Sequence, residues 1–129
     1  MEYKTTAKLV IQACDKDLPG VFGHGCVLLL QGIAREHSLN RAAKSMGMAY
    51  SKAWRIVNEA EGQLGCKLIE RDGARGSTLT PAGKRAIAAY EELQAEINQV
   101  IATRASDLIA SINAKKTIWA DHWSAALTN

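Results

Sequence analysis

The fold is specified chiefly by residues 38–65, which read S-L-N-R-A-A-K-S-M-G-M-A-Y-S-K-A-W-R-I-V-N-E-A-E-G-Q-L-G. Asn40 is a favourable N-cap, because its side-chain oxygen can accept from the unpaired amides of the next turn, and we expect a short helix over about 41–46. Gly47 can adopt the left-handed conformation that ends a helix and redirects the chain. A further helix is predicted from Ala49 to Leu64, so the stretch predicts two helices joined by a tight turn.

That last helix has two chemically different sides. Its polar residues point largely away from the apolar ones, so one side is predicted to face a core and the other to face solvent or a partner. The apolar residues are Ala53, Ile56, Val57, Ala60 and Leu64, and the polar residues are Ser51, Lys52, Arg55, Asn58 and Glu59.

On the N-terminal side of this stretch, residues 25–37 carry an apolar stripe at helical spacing and predict a first helix. Before it, the β-branched run from Thr6 to Ala13 predicts one edge strand, which ends before the turn signal Pro19-Gly20.

On the C-terminal side, residues 66–71 and Thr78-Leu79 predict a β-hairpin with a basic, glycine-containing tip. Thr80 followed by Pro81 then predicts the start of a long helix that runs to about residue 114. The expected fold is therefore mainly α with a small β-hairpin wing: a winged helix-turn-helix over 1–80, a long C-terminal dimerisation helix over 81–114 and a separate tail over 115–129.

Charge supports a nucleic-acid partner only locally. The whole chain has 16 basic and 13 acidic residues, a net charge of +3. Between Arg35 and Arg85, however, Lys and Arg outnumber Asp and Glu two to one. A basic patch confined to the helix-turn-helix region is typical of a protein that binds double-stranded DNA.

Other classes of protein fit the sequence poorly. The three cysteines form no C-x-x-C pair, the histidines lie far apart, and no nucleophile or acid-base pair has a workable spacing, so we expect no metal, no cofactor and no enzymatic activity. The chain shows no leader at Met1 and no apolar run of the ~18 residues that cross a bilayer, so we expect no membrane contact and a cytoplasmic protein. The residues concerned are Cys14, Cys26, Cys66, His24, His37 and His122.

The segment from Ser38 to Trp54 resembles the N-terminal domain of bacterial ModE-type molybdate-responsive regulators, above all in A-Y-S-K-A-W. The segments Gln63–Arg71 and Leu79–Gly83 resemble the end of the winged domain in ModE-type and LysR-type regulators. The resemblance covers about residues 6–95 and implies a DNA-binding domain. We expect no oxyanion-binding or sensor domain, so molybdate binding is not implied. Departures at Ala49 and Ser51, and in the wing, put the operator sequence in question rather than the fold.

In this architecture the first turns of the third helix reach base edges in the major groove, and the wing lies on the backbone. We expect Arg55 to read guanine, Lys52 to bind phosphate, and Arg75 to contact the DNA backbone or minor groove. Trp54 is expected to pack inside the domain, with contact to the DNA backbone as the alternative. The predicted DNA-binding residues are Asn40, Arg41, Tyr50, Ser51, Lys52, Arg55, Arg71, Arg75 and Ser77.

The long helix carries an apolar stripe that exceeds what the small domain needs for its own core. We expect it to form a homodimer, which would place two recognition helices one DNA turn, ~34 Å, apart. The predicted dimerisation residues are Tyr90, Leu93, Ile97, Val100, Ile101, Arg104 and Leu108.

The tail contains Trp119 and Trp123, for which we expect docking onto the dimer, with a partner site or a weak membrane-surface contact as alternatives. The predicted function is that of a sequence-specific transcription regulator. The alternatives are a nucleoid-associated architectural protein, which would bind any duplex equally, and a winged helix that docks protein, which would bind no duplex. The sequence identifies no small-molecule effector.

Overall fold

The protein is described from a computed structural model that covers residues 2–15 and 17–113. Three helices, a β-hairpin and a long helix follow one another in the predicted order, which confirms a mainly α fold with a small wing. In chain order the elements are α1 (His24–Glu36), α2 (Leu39–Ser45), α3 (Tyr50–Leu64), β1 (Ile69–Arg71), β2 (Ser77–Leu79) and α4 (Pro81–Ala110).

The core is built around α1, the most apolar of the helices. Leu29, Leu30 and Ile33 are completely buried, and burying each such side chain contributes about 1.5–3 kcal/mol. Helix α2 approaches α1 closely, because a Cβ placed on Gly32 would lie only 2.7 Å from the Cβ of Ala42. Small residues at this crossing therefore set the spacing of the first two helices.

Residues 8–94 form one compact unit, and the described residues 2–7 and 95–113 form a second. The predicted boundary at residue 80 does not coincide with this division, since Tyr90 belongs to the core of the first unit. The Tyr90 ring packs edge-on against Phe22 with centroids 5.7 Å apart, and its hydroxyl donates to the carbonyl of Leu9 over 2.8 Å. Burial raises the pKa of Tyr90 above its usual value.

The assignment of Tyr90 to a dimer surface was therefore wrong. Only 2% of this residue is exposed, because the spacing that places it on the α4 stripe also turns it towards Phe22. Its neighbour on the stripe, Leu93, is 44% exposed.

The N-cap of α2 differs from the prediction. The helix begins at Leu39, and the hydroxyl of Ser38 accepts from the amide of Arg41 over 3.1 Å. Ser38 has the extended backbone that an N-cap requires, whereas Asn40 lies inside the first turn and is exposed. The sequence offered two capping residues, Ser38 and Asn40, which lie two positions apart.

The predicted edge strand over 6–13 was wrong. Among the described residues of this segment, Ile11 forms an isolated bridge with Phe22, in which each amide donates to the other's carbonyl over 2.9 Å. β-Branched residues favour an extended backbone, but a strand needs a paired segment, and Phe22 is followed almost at once by α1.

The start of α4 is as predicted. The Thr80 hydroxyl accepts from the amide of Gly83 over 2.9 Å, and Pro81 occupies the first helical position. The helix ends at Ala110 rather than near 114, and Ser111–Asn113 continue as one tighter turn. The predicted tail with Trp119 and Trp123 lies outside the described residues. In the described part of the chain no helix has the length and hydropathy needed to span a membrane.

The wing is fixed to the C-terminal end of α1. Strands β1 and β2 pair antiparallel, with Arg71 opposite Ser77, and the amide of Ser77 donates to the carbonyl of His37 over 2.9 Å. His37 itself adopts a left-handed conformation, φ 56°, which ends α1. A Cβ on Gly76, φ +100°, would overlap the His37 carbonyl oxygen.

We predict that Gly76→Ala destabilises the domain much more than Gly73→Ala. Both glycines have positive φ, at +100° and +52°, but no described atom lies within 4 Å of a Cβ built on Gly73. The positive φ costs an alanine about 1–3 kcal/mol at either site, and the overlap with His37 adds ~1–3 kcal/mol at Gly76. Urea unfolding measures the difference. Equal losses in the two variants would show that the wing does not depend on this close contact.

Candidate nucleic-acid interface

Helix α3 is buried along one edge and exposed along the other. Ala53, Val57 and Ala60 are buried in the core, as the periodicity predicts. On the other edge, Tyr50 is 45% exposed and Trp54 is 42% exposed. The prediction that Trp54 packs inside the domain was therefore wrong, because its position four residues after Tyr50 places it on the outer surface.

Trp54 faces the wing. The guanidinium carbon of Arg71, at the end of β1, lies 5.6 Å from the centre of the Trp54 ring. A cation in this position is attracted to the ring by about 0.5–1 kcal/mol at an exposed site. Beside this pair a groove of about 560 Å³ runs between α3 and β1, with Asn58 and Lys67 in its lining. The indole thus holds a wing arginine next to the exposed edge of α3.

Arg55 lies on the opposite flank of that edge. Its Nη1 is 3.2 Å from Oε1 of Glu59, one helical turn further on. The Arg55 side chain is 59% exposed, while the Glu59 side chain is 16% exposed. The guanidinium therefore faces solvent but has one fixed partner.

The carboxylate of Glu61 joins α3 to the wing. Its Oε2 accepts from the amides of Leu68 and Ile69 over 2.8 and 3.4 Å, and its Oε1 lies 3.6 Å from the ammonium group of Lys67.

Burial and, to a lesser degree, the negative charge of Glu61 raise the pKa of the Cys26 thiol to about 12. Cys26 is therefore a neutral, packed thiol at physiological pH.

Gln63 joins α3 to the segment that precedes α1. Its amide oxygen accepts from the amide of Ala13 over 2.7 Å. Its amide nitrogen lies 3.0 Å from each of three successive carbonyl oxygens, those of Leu18, Pro19 and Gly20. Only 7% of Gln63 is exposed, so these polar contacts replace the water that the side chain loses on folding.

The structure brings most of the predicted DNA-binding residues to the surface. Helix α3 exposes Tyr50, Ser51, Lys52 and Arg55. Helix α2 exposes Asn40 and Arg41, and the wing exposes Arg71 and Arg75. Ser77 is the exception, since it is 7% exposed and its backbone is bonded to His37. We therefore remove Ser77 from the candidate contacts.

The sequence prediction missed three residues of this region. Asn58 lies seven positions after Ser51, which is two helical turns, so it shares the exposed edge of α3. That spacing was a usable signal. Glu61 and Gln63 had no such signal, because their backbone partners lie outside α3. The partners are residues 68–69 for Glu61, and residues 13 and 18–20 for Gln63.

Among residues 2–15 and 17–113, no cluster of His, Cys, Asp and Glu could hold a metal ion.

Three helices around one core, with the third exposed beside a two-stranded wing, define a winged helix-turn-helix protein. Residues 27–84 match the model of the "Bacterial regulatory helix-turn-helix protein, lysR family". The chain therefore carries a LysR-type DNA-binding domain, and its relatives show that this domain is ModE-like.

Two of these relatives are molybdenum transport proteins named ModE. The protein from Herbaspirillum seropedicae is 39% identical over 70 residues, which are 51% of this chain and 26% of the relative. The protein from Azotobacter vinelandii is 31% identical over 100 residues, which are 74% of this chain and 37% of the relative. The chain thus spans about a quarter to a third of the length of these relatives.

A solved structure has the same fold. The BenM DNA-binding domain in its complex with catB site 1 DNA is 26% identical and superposes with a TM-score of 0.50. The match covers 66% of this chain and 91% of the BenM domain.

We predict that Glu61→Ala lowers the free energy of unfolding by about 1–3 kcal/mol, because the partly buried amide of Leu68 loses its acceptor. Glu70→Ala is the matched control, since Glu70 is an exposed acidic residue on β1, and should change stability by less than about 0.5 kcal/mol. Urea unfolding followed by circular dichroism gives both values. A loss no larger for Glu61→Ala than for the control would contradict the role of Glu61 as the joint between α3 and the wing.

Proposed function

We propose that this protein is a bacterial transcription regulator that binds double-stranded DNA in a sequence-specific manner as a homodimer. The observation that carries the proposal is the exposed edge of α3, on which Lys52 and Arg55 lie, beside a wing that carries Arg71 and Arg75. The likeness to a DNA-binding domain crystallised on duplex DNA supports the same assignment.

Each candidate residue has a role that follows from its position. Arg55 and Ser51 lie on the first turns of α3, where a side chain inserted in the major groove meets base edges. Lys52 is a flexible point charge suited to a phosphate. Arg71 and Arg75 lie on the wing, which follows the sugar-phosphate backbone.

Residues on α2 and at the start of α3 complete the candidate surface. Asn40 and Arg41 are exposed in the first turn of α2, and Tyr50 is exposed at the start of α3. Amide, guanidinium and phenol groups all donate hydrogen bonds to phosphate oxygens. These three residues would fix the register of the domain on the duplex rather than read its sequence.

The homodimer is proposed from the surface of α4. Val100 is 62% exposed and Leu108 is 50% exposed. Arg104 lies between them on the same side of the helix, and Ile97 lies about one turn before Val100. Exposed apolar side chains at helical spacing favour a partner helix. A second copy of α4 supplies a matching stripe, as a two-fold symmetric interface requires.

Charge favours an antiparallel arrangement of the two helices. Glu96 and Arg104 are both exposed, and each lies four residues from Val100, on opposite sides of it. Antiparallel pairing centred on Val100 would place Glu96 of each copy opposite Arg104 of the other, which gives two pairs of opposite charge. Parallel pairing would place like charges together, which is unfavourable.

The remaining proposals concern compartment and chemistry. We place the protein in the cytoplasm, where bacterial DNA is transcribed. We assign it no enzymatic role, since two Escherichia coli relatives of its domain are named as transcriptional regulators. Molybdate recognition is not proposed, because the similarity covers only 26% and 37% of the two ModE proteins.

We predict that the protein enriches a pseudo-palindromic sequence from sheared bacterial DNA at ~0.15 M salt, with half-sites one helical turn, ~34 Å, apart. Sequencing the recovered fragments is the measurement, and fragments carried through without protein are the control. Even recovery of all sequences would indicate an architectural DNA-binding protein instead. No recovery would indicate a winged helix that docks protein.

We predict that Val100→Glu converts the dimer to a monomer, because it places two carboxylates together at the centre of the α4 interface. Sedimentation equilibrium at micromolar concentration measures the mass. Gln99→Glu adds the same charge on a different face of α4 and should leave the dimer intact. A wild-type monomer, or dissociation of both variants alike, would contradict the proposed interface.

A further inference from the structure

The ion pair between Arg55 and Glu59 is asymmetric in exposure. The arginine side chain is 59% exposed, whereas the glutamate side chain is 16% exposed. An exposed pair at this spacing usually contributes little to stability, because both side chains lose freedom when they meet. Here the glutamate side chain is largely covered, so the arginine meets a carboxylate whose positions are restricted.

The loop before α1 packs against that carboxylate. A Cβ on Gly20, φ +76°, would overlap Oε2 of Glu59, so the backbone of the loop lies directly against the carboxylate. The carbonyl of Gly20 in turn accepts from Gln63 over 3.0 Å. One oxygen of Glu59 therefore faces the loop, and the other faces Arg55 at 3.2 Å.

This arrangement has two consequences for Arg55. A guanidinium has five N–H donors in a rigid plane, so a contact at one nitrogen restricts its orientation and leaves other donors for a second acceptor pair. The O6 and N7 atoms of guanine form such a pair in the major groove. The nearby negative charge also offsets one of the positive charges that attract DNA regardless of its sequence.

We propose that Glu59 is a positioning residue that sets the base preference of Arg55. This inference rests on the proposed function, since it concerns the same surface. Glu59 would orient the guanidinium towards one base pair and, by its charge, would weaken binding to unselected DNA. The domain would thereby gain selectivity at the expense of affinity.

The test uses Glu59→Gln, which keeps the shape of the side chain and removes its charge. Glu70→Gln is the matched control, because it removes one negative charge from an exposed position on β1. The protein is titrated against the duplex selected from genomic DNA and against the same duplex changed at one base pair. Arg55→Ala first identifies that base pair, as the position at which its preference is lost.

Both variants should bind unselected duplex more tightly, by roughly two- to fivefold, because each has one fewer negative charge to repel phosphates. Only Glu59→Gln should lose preference for the selected base pair at the Arg55 position of the duplex. The ratio of the two affinities should fall from about tenfold or more in the wild-type protein to about threefold or less. In an Arg55→Ala background, Glu59→Gln should leave the preference at that position unchanged. Matching unfolding midpoints of the variants show that the fold is intact.

A preference in Glu59→Gln equal to that in Glu70→Gln would overturn the inference and leave the proposed function standing, because the carboxylate would then act through net charge alone. A further loss of preference at the Arg55 position in the Arg55→Ala background would also overturn it, since Glu59 would then act through another group. If the wild-type protein bound no duplex, the proposed function would fail, and this inference with it.

Discussion

The structure depends on the packing of one edge of α3 against the core. Ala53, Val57 and Ala60 are small enough to bring this helix close to the core, and all three are buried. Because these positions take up one side of the helix, the residues between them must face outward. The exposed edge available to DNA is therefore a direct result of the same periodicity that builds the core.

Two polar side chains on α3 convert this packed helix into a fixed surface. Glu61 binds the amides at the start of β1 and so positions the wing, while Gln63 binds the segment before α1. Both make their contacts with backbone groups, which cannot move away as side chains can. The wing and the loop are therefore held to α3, and they flank its exposed edge. The arginines on the two sides of that edge are restricted in position as a result. Arg71 lies against Trp54, and Arg55 lies against Glu59.

The sequence predicted those features that local chemistry controls. The helix pattern, the left-handed turn at Gly47 and the start of α4 at Thr80-Pro81 were correct. Features that depend on a distant partner were not accessible in this way. The segment over 6–13 lacked a pairing strand, Tyr90 found an aromatic partner in Phe22, and the burial of Ser77 followed from docking of the wing on His37. In the candidate site, periodicity located the exposed edge of α3 but not the carboxylate and amide that hold its surroundings.

Amide hydrogen exchange of the protein, with and without the duplex selected from genomic DNA, tests the DNA-binding surface most directly. Protection on binding should concentrate in the first half of α3 and in the wing from β1 to β2, and the buried edge of α1 should remain unchanged. Protection confined to α4 or to the segment before α1, with α3 and the wing unaffected, would contradict the assignment of the exposed edge of α3 as the DNA-binding surface.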